Sequence, residues 1–143
     1  MIRLLALFLC AACQGTYARE VTIESALSAI VAVESGCTRV GMGQISGRWE
    51  IGADGEVSPF QLHVDLLRDL GVSGKLARLH RDPVYAESLA RFQLDRLYKR
   101  FGNWPDTFAA WNGGANGYKR RMARDYSERC MNLATQLAKE SAQ

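Results

Sequence analysis

Ile30-Val31-Ala32-Val33-Glu34-Ser35-Gly36 reads as the end of a buried helix with one carboxylate set into it. Working back from there, Ile23, Leu27, Ile30 and Val31 recur at three- and four-residue steps, with Glu34 in the same series. That spacing predicts a helix over 22–35, stopped by Gly36. Glu34 then sits in the last turn among Ile30, Val31 and Val33, where desolvation and the negative end of the helix dipole both disfavour its charged form. A carboxyl that stays protonated near neutral pH can give a proton to a glycosidic oxygen, the role in which a raised glutamate pKa recurs. The competing reading is a solvated charge at a helix end.

The remaining chain sets the frame for that residue. Its 143 residues suit one domain with one core. A net charge of +3 is too small and too scattered to argue for nucleic acid, but would suit an anionic polymer such as a cell wall. The two histidines, His63 and His80, stand apart, so the sequence offers no metal-ligand spacing, and no metal or cofactor is expected.

Residues 1–18 carry one Arg3, an apolar stretch over 4–12 too short to span a bilayer, and Thr16-Tyr17-Ala18 as a small-residue cleavage site. They read as a secretory signal peptide cut after Ala18, leaving a mature domain over 19–143 with no integral membrane segment, exported to the periplasm or beyond. Lipoprotein processing at Cys13, after Cys10-Ala11-Ala12, is the competing reading. Cleavage after Ala18 leaves Cys37 and Cys130, an even pair in an oxidising compartment, expected to be bonded; two separate buried thiols are the alternative.

Residues 38–59 show little periodicity and hold Gly41, Gly43, Gly47, Gly52 and Gly55, which predicts a long functional loop with a small hairpin near 48–51. Short helices are expected over 64–70 and 74–79. Asp82-Pro83 opens a long helix to Phe101, with Tyr85, Leu89, Phe92, Leu97 and Phe101 as its buried stripe. Pro105 opens a helix over 106–112, ended by Gly113-Gly114. A basic helical turn over 119–124 follows, and then a last helix capped by Asp125 and Glu128 that carries Tyr126, Cys130, Leu133, Ala134 and Leu137 on one face.

Glu34-Ser35-Gly36, Gly55-Glu56-Val57-Ser58-Pro59-Phe60-Gln61, Ala110-Trp111-Asn112-Gly113-Gly114 and the late Tyr126 to Leu133 stand in that order. Together they resemble the soluble lytic transglycosylase family over essentially the whole mature chain. The resemblance implies a mainly α, lysozyme-like domain of the goose-type lysozyme kind that cleaves peptidoglycan glycan strands. It implies that Glu34 is the catalytic acid and later the base, that Ser35 supports the turn, and that Gln61 lines the sugar groove with Phe60 beside it. Asn112 corresponds to a residue expected to hydrogen-bond structurally, and Tyr126 to the tyrosine near the active glutamate.

The chain departs from that pattern at three places. Trp111 replaces the usual tyrosine, and an indole can donate one hydrogen bond but accept none. Ser58-Pro59 replaces Gly-Leu and stiffens the turn. The connection from Glu34 to Gln61 is long and carries Glu50, Asp54 and Glu56. Asp54 or Glu56 could serve as a second carboxylate, which would make a hydrolytic muramidase or chitinase-like enzyme; solvated loop charges are the plain alternative. Trp49, Phe60, Trp111 and Tyr118 are candidate sugar-stacking surfaces, with core packing as the other reading of each. A non-catalytic wall-binding module is the alternative outside enzymes. The biological task stays open between remodelling the cell's own wall, opening a gap for a secretion machine and attacking a rival, so a secretion-system or wall-associated protein is a candidate partner.

Overall fold

The structure, a computed structural model, describes residues 20–53 and 55–141. The expected signal peptide with Cys10 and Cys13, and the candidate Asp54, lie outside the described residues.

Helix α1 (Ile23–Ser35) begins with a reciprocal cap. The Thr22 hydroxyl accepts from the Ser25 N–H at 3.1 Å, and the Ser25 hydroxyl accepts from the Thr22 N–H at 3.0 Å. It ends where expected, at Gly36, whose φ of 66° is the left-handed conformation open to glycine. Leu27, Ile30 and Val31 are fully buried, so α1 is a core helix.

A two-stranded antiparallel hairpin follows, β1 (Thr38–Gly41) and β2 (Gln44–Ser46), pairing Thr38 with Ser46 and Arg39 with Ile45. It stands earlier than the 48–51 expected from sequence. The turn at Met42-Gly43 fixes its place: Gly43 has φ 67° and lies so close to Val84 that any side chain there would collide.

The remaining elements are α2 (Val64–Asp69), a 3-10 turn (Ser73–Lys75), α3 (Leu76–Arg81), α4 (Pro83–Phe101), α5 (Trp104–Gly117) and α6 (Arg121–Glu140). The protein is therefore mainly helical, with six α-helices and one small sheet among the described residues. None of these helices is long and apolar enough to cross a membrane.

Asp82 caps α4, accepting from the Tyr85 N–H at 3.0 Å, with Pro83 in the first turn. The buried stripe of α4 differs from the one expected. Ala86, Ala90, Leu94 and Leu97 face the core, Tyr85 and Leu89 pack at its margin, and Phe92 is 54% exposed.

Three helix boundaries also differ. Asn103, not Pro105, sets the start of α5, its side chain accepting from the Asp106 N–H at 2.9 Å. The chain stays helical on both sides of Gly114, which breaks α5 at φ 72° and ψ 168°. Helix α6 starts at Arg121, following an extended Arg120, so Asp125 lies inside the helix and caps nothing.

Helix α6 packs against α1 and α5, and α4 against α5. Phe60 and Phe108 are fully buried in the core, each contributing about 1.5–3 kcal/mol relative to an exposed side chain. A buried charge network joins the hairpin to the helices. Glu87 of α4 is 0% exposed, takes the Arg39 guanidinium at 2.7 Å, accepts from the Gly43 N–H at 2.8 Å and meets Arg91 at 3.2 Å. Arg39 also pairs with Glu24 of α1 at 2.7 Å.

Candidate active site

Glu34 opens onto a groove of about 930 Å³. The C-terminal end of α1 brings Glu34, and the loop after the hairpin brings Gly52, Ala53, Glu56 and Gln61. Helix α4 contributes Gln93, Arg96, Leu97 and Arg100, α5 contributes Trp111 and Asn112, and His63 and Asp69 stand at the two ends of α2.

Burial pushes the Glu34 carboxyl above the ordinary glutamate range. The Tyr126 hydroxyl and Trp111 indole, both facing it, and the Arg129 guanidinium pull the other way, while the negative charge of Glu56 pushes it further up. Burial has the largest effect. The result is an acid poised to hold a proton at higher pH than a surface glutamate.

Tyr126 is 2% exposed, and its hydroxyl, beside Glu34 and Cys130, has no fully formed hydrogen bond among the described residues. Desolvation first, then the neighbouring Glu34 charge, holds the phenol well above its ordinary pKa, so it keeps its proton and can donate it in a hydrogen bond. The Trp111 indole, a group that donates and cannot accept, faces the same carboxyl.

The loop wall owes its shape to a chain of short bonds. The Gly52 N–H donates to the Glu56 carbonyl at 2.8 Å, and Val57 and Leu62 exchange N–H···O bonds of 3.1 and 2.9 Å around the turn Ser58 to Gln61. Ser58 (φ 74°) and Gln61 (φ 48°) hold left-handed backbone without being glycine. Such positions cost on the order of 1 kcal/mol or more and persist only where their surroundings dictate them. The Gln61 amide nitrogen donates to the carbonyls of Ser58 and Glu50, both at 3.0 Å. Its amide oxygen and the Glu56 carboxylate lie against Gly52 so closely that a Cβ at 52 would stand 2.7 Å from the former and closer still to the latter.

Several sequence expectations need correction. Phe60 is wholly in the core, because the tight 57–62 turn folds it inward, and it offers no stacking face. Trp49 packs on the core edge-on to His80, with ring centroids 6.4 Å apart, and Tyr118 packs on Phe101 at 4.8 Å; neither lines the groove. Trp111 is the one of the four aromatic candidates that does. Asn112 is exposed on the groove wall. Ser35 closes its own helix end, donating to the Val31 carbonyl at 2.8 Å.

The expected bond between Cys37 and Cys130 is not formed; both are buried free thiols. Cys37 turns its thiol to the Ser35 carbonyl, while Cys130 faces Tyr126 and Glu34 and is pushed up to about 12, chiefly by burial. No group of three or more His, Cys, Asp or Glu residues among the described residues is placed to hold a metal.

The sequence reading missed Gln93, Arg96, Arg100, His63 and Asp69 as groove residues. The first three were detectable, because 93, 96 and 100 recur at helical steps on the polar side of a helix the sequence does predict. Comparison with protein-family models, curated proteins and solved structures finds no match.

Proposed function

We propose that this chain is an exported lysozyme-like domain that cleaves the glycan strands of peptidoglycan between N-acetylmuramic acid and N-acetylglucosamine as a lytic transglycosylase. The observation that carries the reading is Glu34, a carboxyl raised by burial, set in an open groove between two hydrogen-bond donors, Trp111 and Tyr126. In this mechanism Glu34 gives its proton to the glycosidic oxygen as the C1–O bond breaks. The substrate's own acetamido oxygen shields the cation developing at C1. The resulting Glu34 carboxylate, stabilised by the indole and phenol donors, takes the proton of the muramyl 6-hydroxyl as O6 bonds to C1. One residue thus acts as acid and then as base, and a 1,6-anhydro product leaves with no water added. No cofactor enters the scheme.

A second reading rests on Glu56. It lines the same groove and its charge acts on Glu34, so it is positioned on the site as a second carboxylate would be. With Glu56 activating water, the enzyme would be a hydrolytic muramidase or a chitinase-like glycosidase. Incubation with purified sacculi and mass analysis of the released muropeptides tests both readings. Anhydro ends support the transglycosylase, ends heavier by one water support the hydrolase, and unchanged turbidity with retained binding would leave a wall-binding module.

A further inference from the structure

We propose that Arg96 and Arg100 form a carboxylate-reading wall of the groove, so that the favoured substrate is a glycan strand carrying a free acid on the α4 side. The inference rests on the glycan-cleaving reading of the site and adds a determinant of which glycan is taken. The two arginines stand four residues apart, one turn of α4, and both line the groove. Neither forms an ion pair among the described residues, a state shared by Arg48, Arg81, Arg120 and Arg129, but Arg96 and Arg100 are the arginines that line the groove.

The groove is divided by charge. Glu34 and Glu56 stand on the α1 and loop side, Asp69 lies at the end of α2, and the two arginines face in from α4. The cation that tempers the Glu34 pKa is Arg129, so the α4 pair is not needed to set the acid. Gln93, one turn before Arg96, buries its amide oxygen with no donor among the described residues. Rotation of that amide would satisfy it with an N–H or O–H next to the bound acid. Two guanidinium groups able to form charge-assisted hydrogen bonds, beside an unmet acceptor, fit a carboxylate with a neighbouring amide or hydroxyl. A neutral N-acetylglucosamine oligomer has no such group. Glycan strands present it either as the muramyl lactyl carboxylate, once the peptide has been removed, or as the free carboxylates of an attached stem peptide.

The test uses the full chain and three substrates: strands with stem peptides, strands stripped of peptide by an amidase, and either of these with its carboxyls converted to neutral amides. Wild-type protein should turn over one of the acidic forms with a kcat/KM about tenfold above its amidated counterpart, a preference worth about 1.4 kcal/mol. That preference should shrink as salt is raised. Preference for peptide-bearing strands assigns the stem carboxylates, and preference for stripped strands assigns the lactyl group. In Arg96→Gln/Arg100→Gln the preference should fall to about onefold. The same ranking should appear in binding to Glu34→Gln, which needs no turnover. Binding that follows charge without any cleavage would keep the inference and overturn the enzyme reading. Equal treatment of acidic and amidated strands by wild type, or a preference that survives in the double variant, would overturn the inference alone.

Discussion

Gln61 donates its side-chain amide to the carbonyl of Glu50 at 3.0 Å, stitching the far side of the glycine-rich loop to the turn that ends it. The same nitrogen reaches Ser58 at 3.0 Å, so both of its hydrogens are committed to the backbone. Gln61 therefore shapes the groove before it touches anything in it. Gln61→Ala should lower stability by about 1 to 2 kcal/mol, the net worth of two hydrogen bonds, measured by urea unfolding. A loss of activity with no change in unfolding would mean that Gln61 binds substrate directly.

Glu34→Gln removes the titrating proton and keeps the shape. Activity on sacculi should drop by at least about a hundredfold. Stability should move the other way. A carboxyl raised in the folded state contributes stability that is complete below its unfolded pKa and is lost as pH rises through the folded value. Glu34→Gln should therefore melt above wild type at pH 7 and converge with it at about pH 3. Scanning calorimetry at the two pH values checks this, and an equal difference at both would show that Glu34 is not strained by ionisation.

The charge of Glu56 helps to keep Glu34 protonated. In Glu56→Gln that push is gone, so the Glu34 pKa falls and the alkaline limb of the kcat/KM profile should move to lower pH. Under the transglycosylase reading most activity is retained below the limb. A loss of roughly a hundredfold at every pH, with hydrated reducing ends, would make Glu56 the base of a hydrolase.

Gly52→Ala asks the same question through the backbone. A methyl there would push the ends of Glu56 and Gln61 aside, and both are flexible side chains. Displacing the Gln61 amide strains its bonds to Glu50 and Ser58, so stability should fall by up to about 1 to 2 kcal/mol, while the alkaline limb shifts in the direction seen for Glu56→Gln. An unmoved limb would show that the Glu56 carboxylate does not depend on that contact.

Glu87 is the strongest electrostatic commitment outside the groove. Burial works to raise its pKa, but the Arg39 guanidinium, the Gly43 N–H and Arg91 together hold it below the ordinary value of 4.5. Glu87→Gln removes one of the two carboxylates on Arg39 and leaves Glu24 as its partner, so it should cost about 1.5 to 3 kcal/mol, the worth of a hydrogen bond to a charged group. A depressed carboxyl gives stability that is present above its unfolded pKa and disappears as pH falls through the folded one. The gap between wild type and Glu87→Gln in urea midpoint should therefore be wide at pH 7 and narrow in acid.

Helical periodicity and punctuation made much of this fold legible. Gly36, the Asp82-Pro83 start and Gly102 act through local backbone chemistry, which a sequence displays directly. The Glu34 position followed from the same pattern. Residue type alone concealed which aromatic rings face the groove, because Phe60 is folded inward by its own 57–62 turn, while Trp49 and Tyr118 pack on His80 and Phe101, which arrive from elsewhere in the chain. The hairpin was misplaced because its position depends on Gly43 meeting Val84, a contact across forty residues. The Glu87 network stayed hidden for the same reason: a glutamate on a helix reads as surface until its partners are in place.

The break at Gly114 leaves Gly113, Gly114 and Ala115 along the groove, three residues with almost no side chain between them. That rim is therefore built largely of peptide groups, whose N–H and C=O dipoles are common to all residues. Substitution at these positions can obstruct the rim or bend it, but cannot rewrite its chemistry. Evolutionary change in what the groove accepts would then fall on the side chains of the other walls, Glu56, Gln61, Gln93, Arg96 and Arg100 among them.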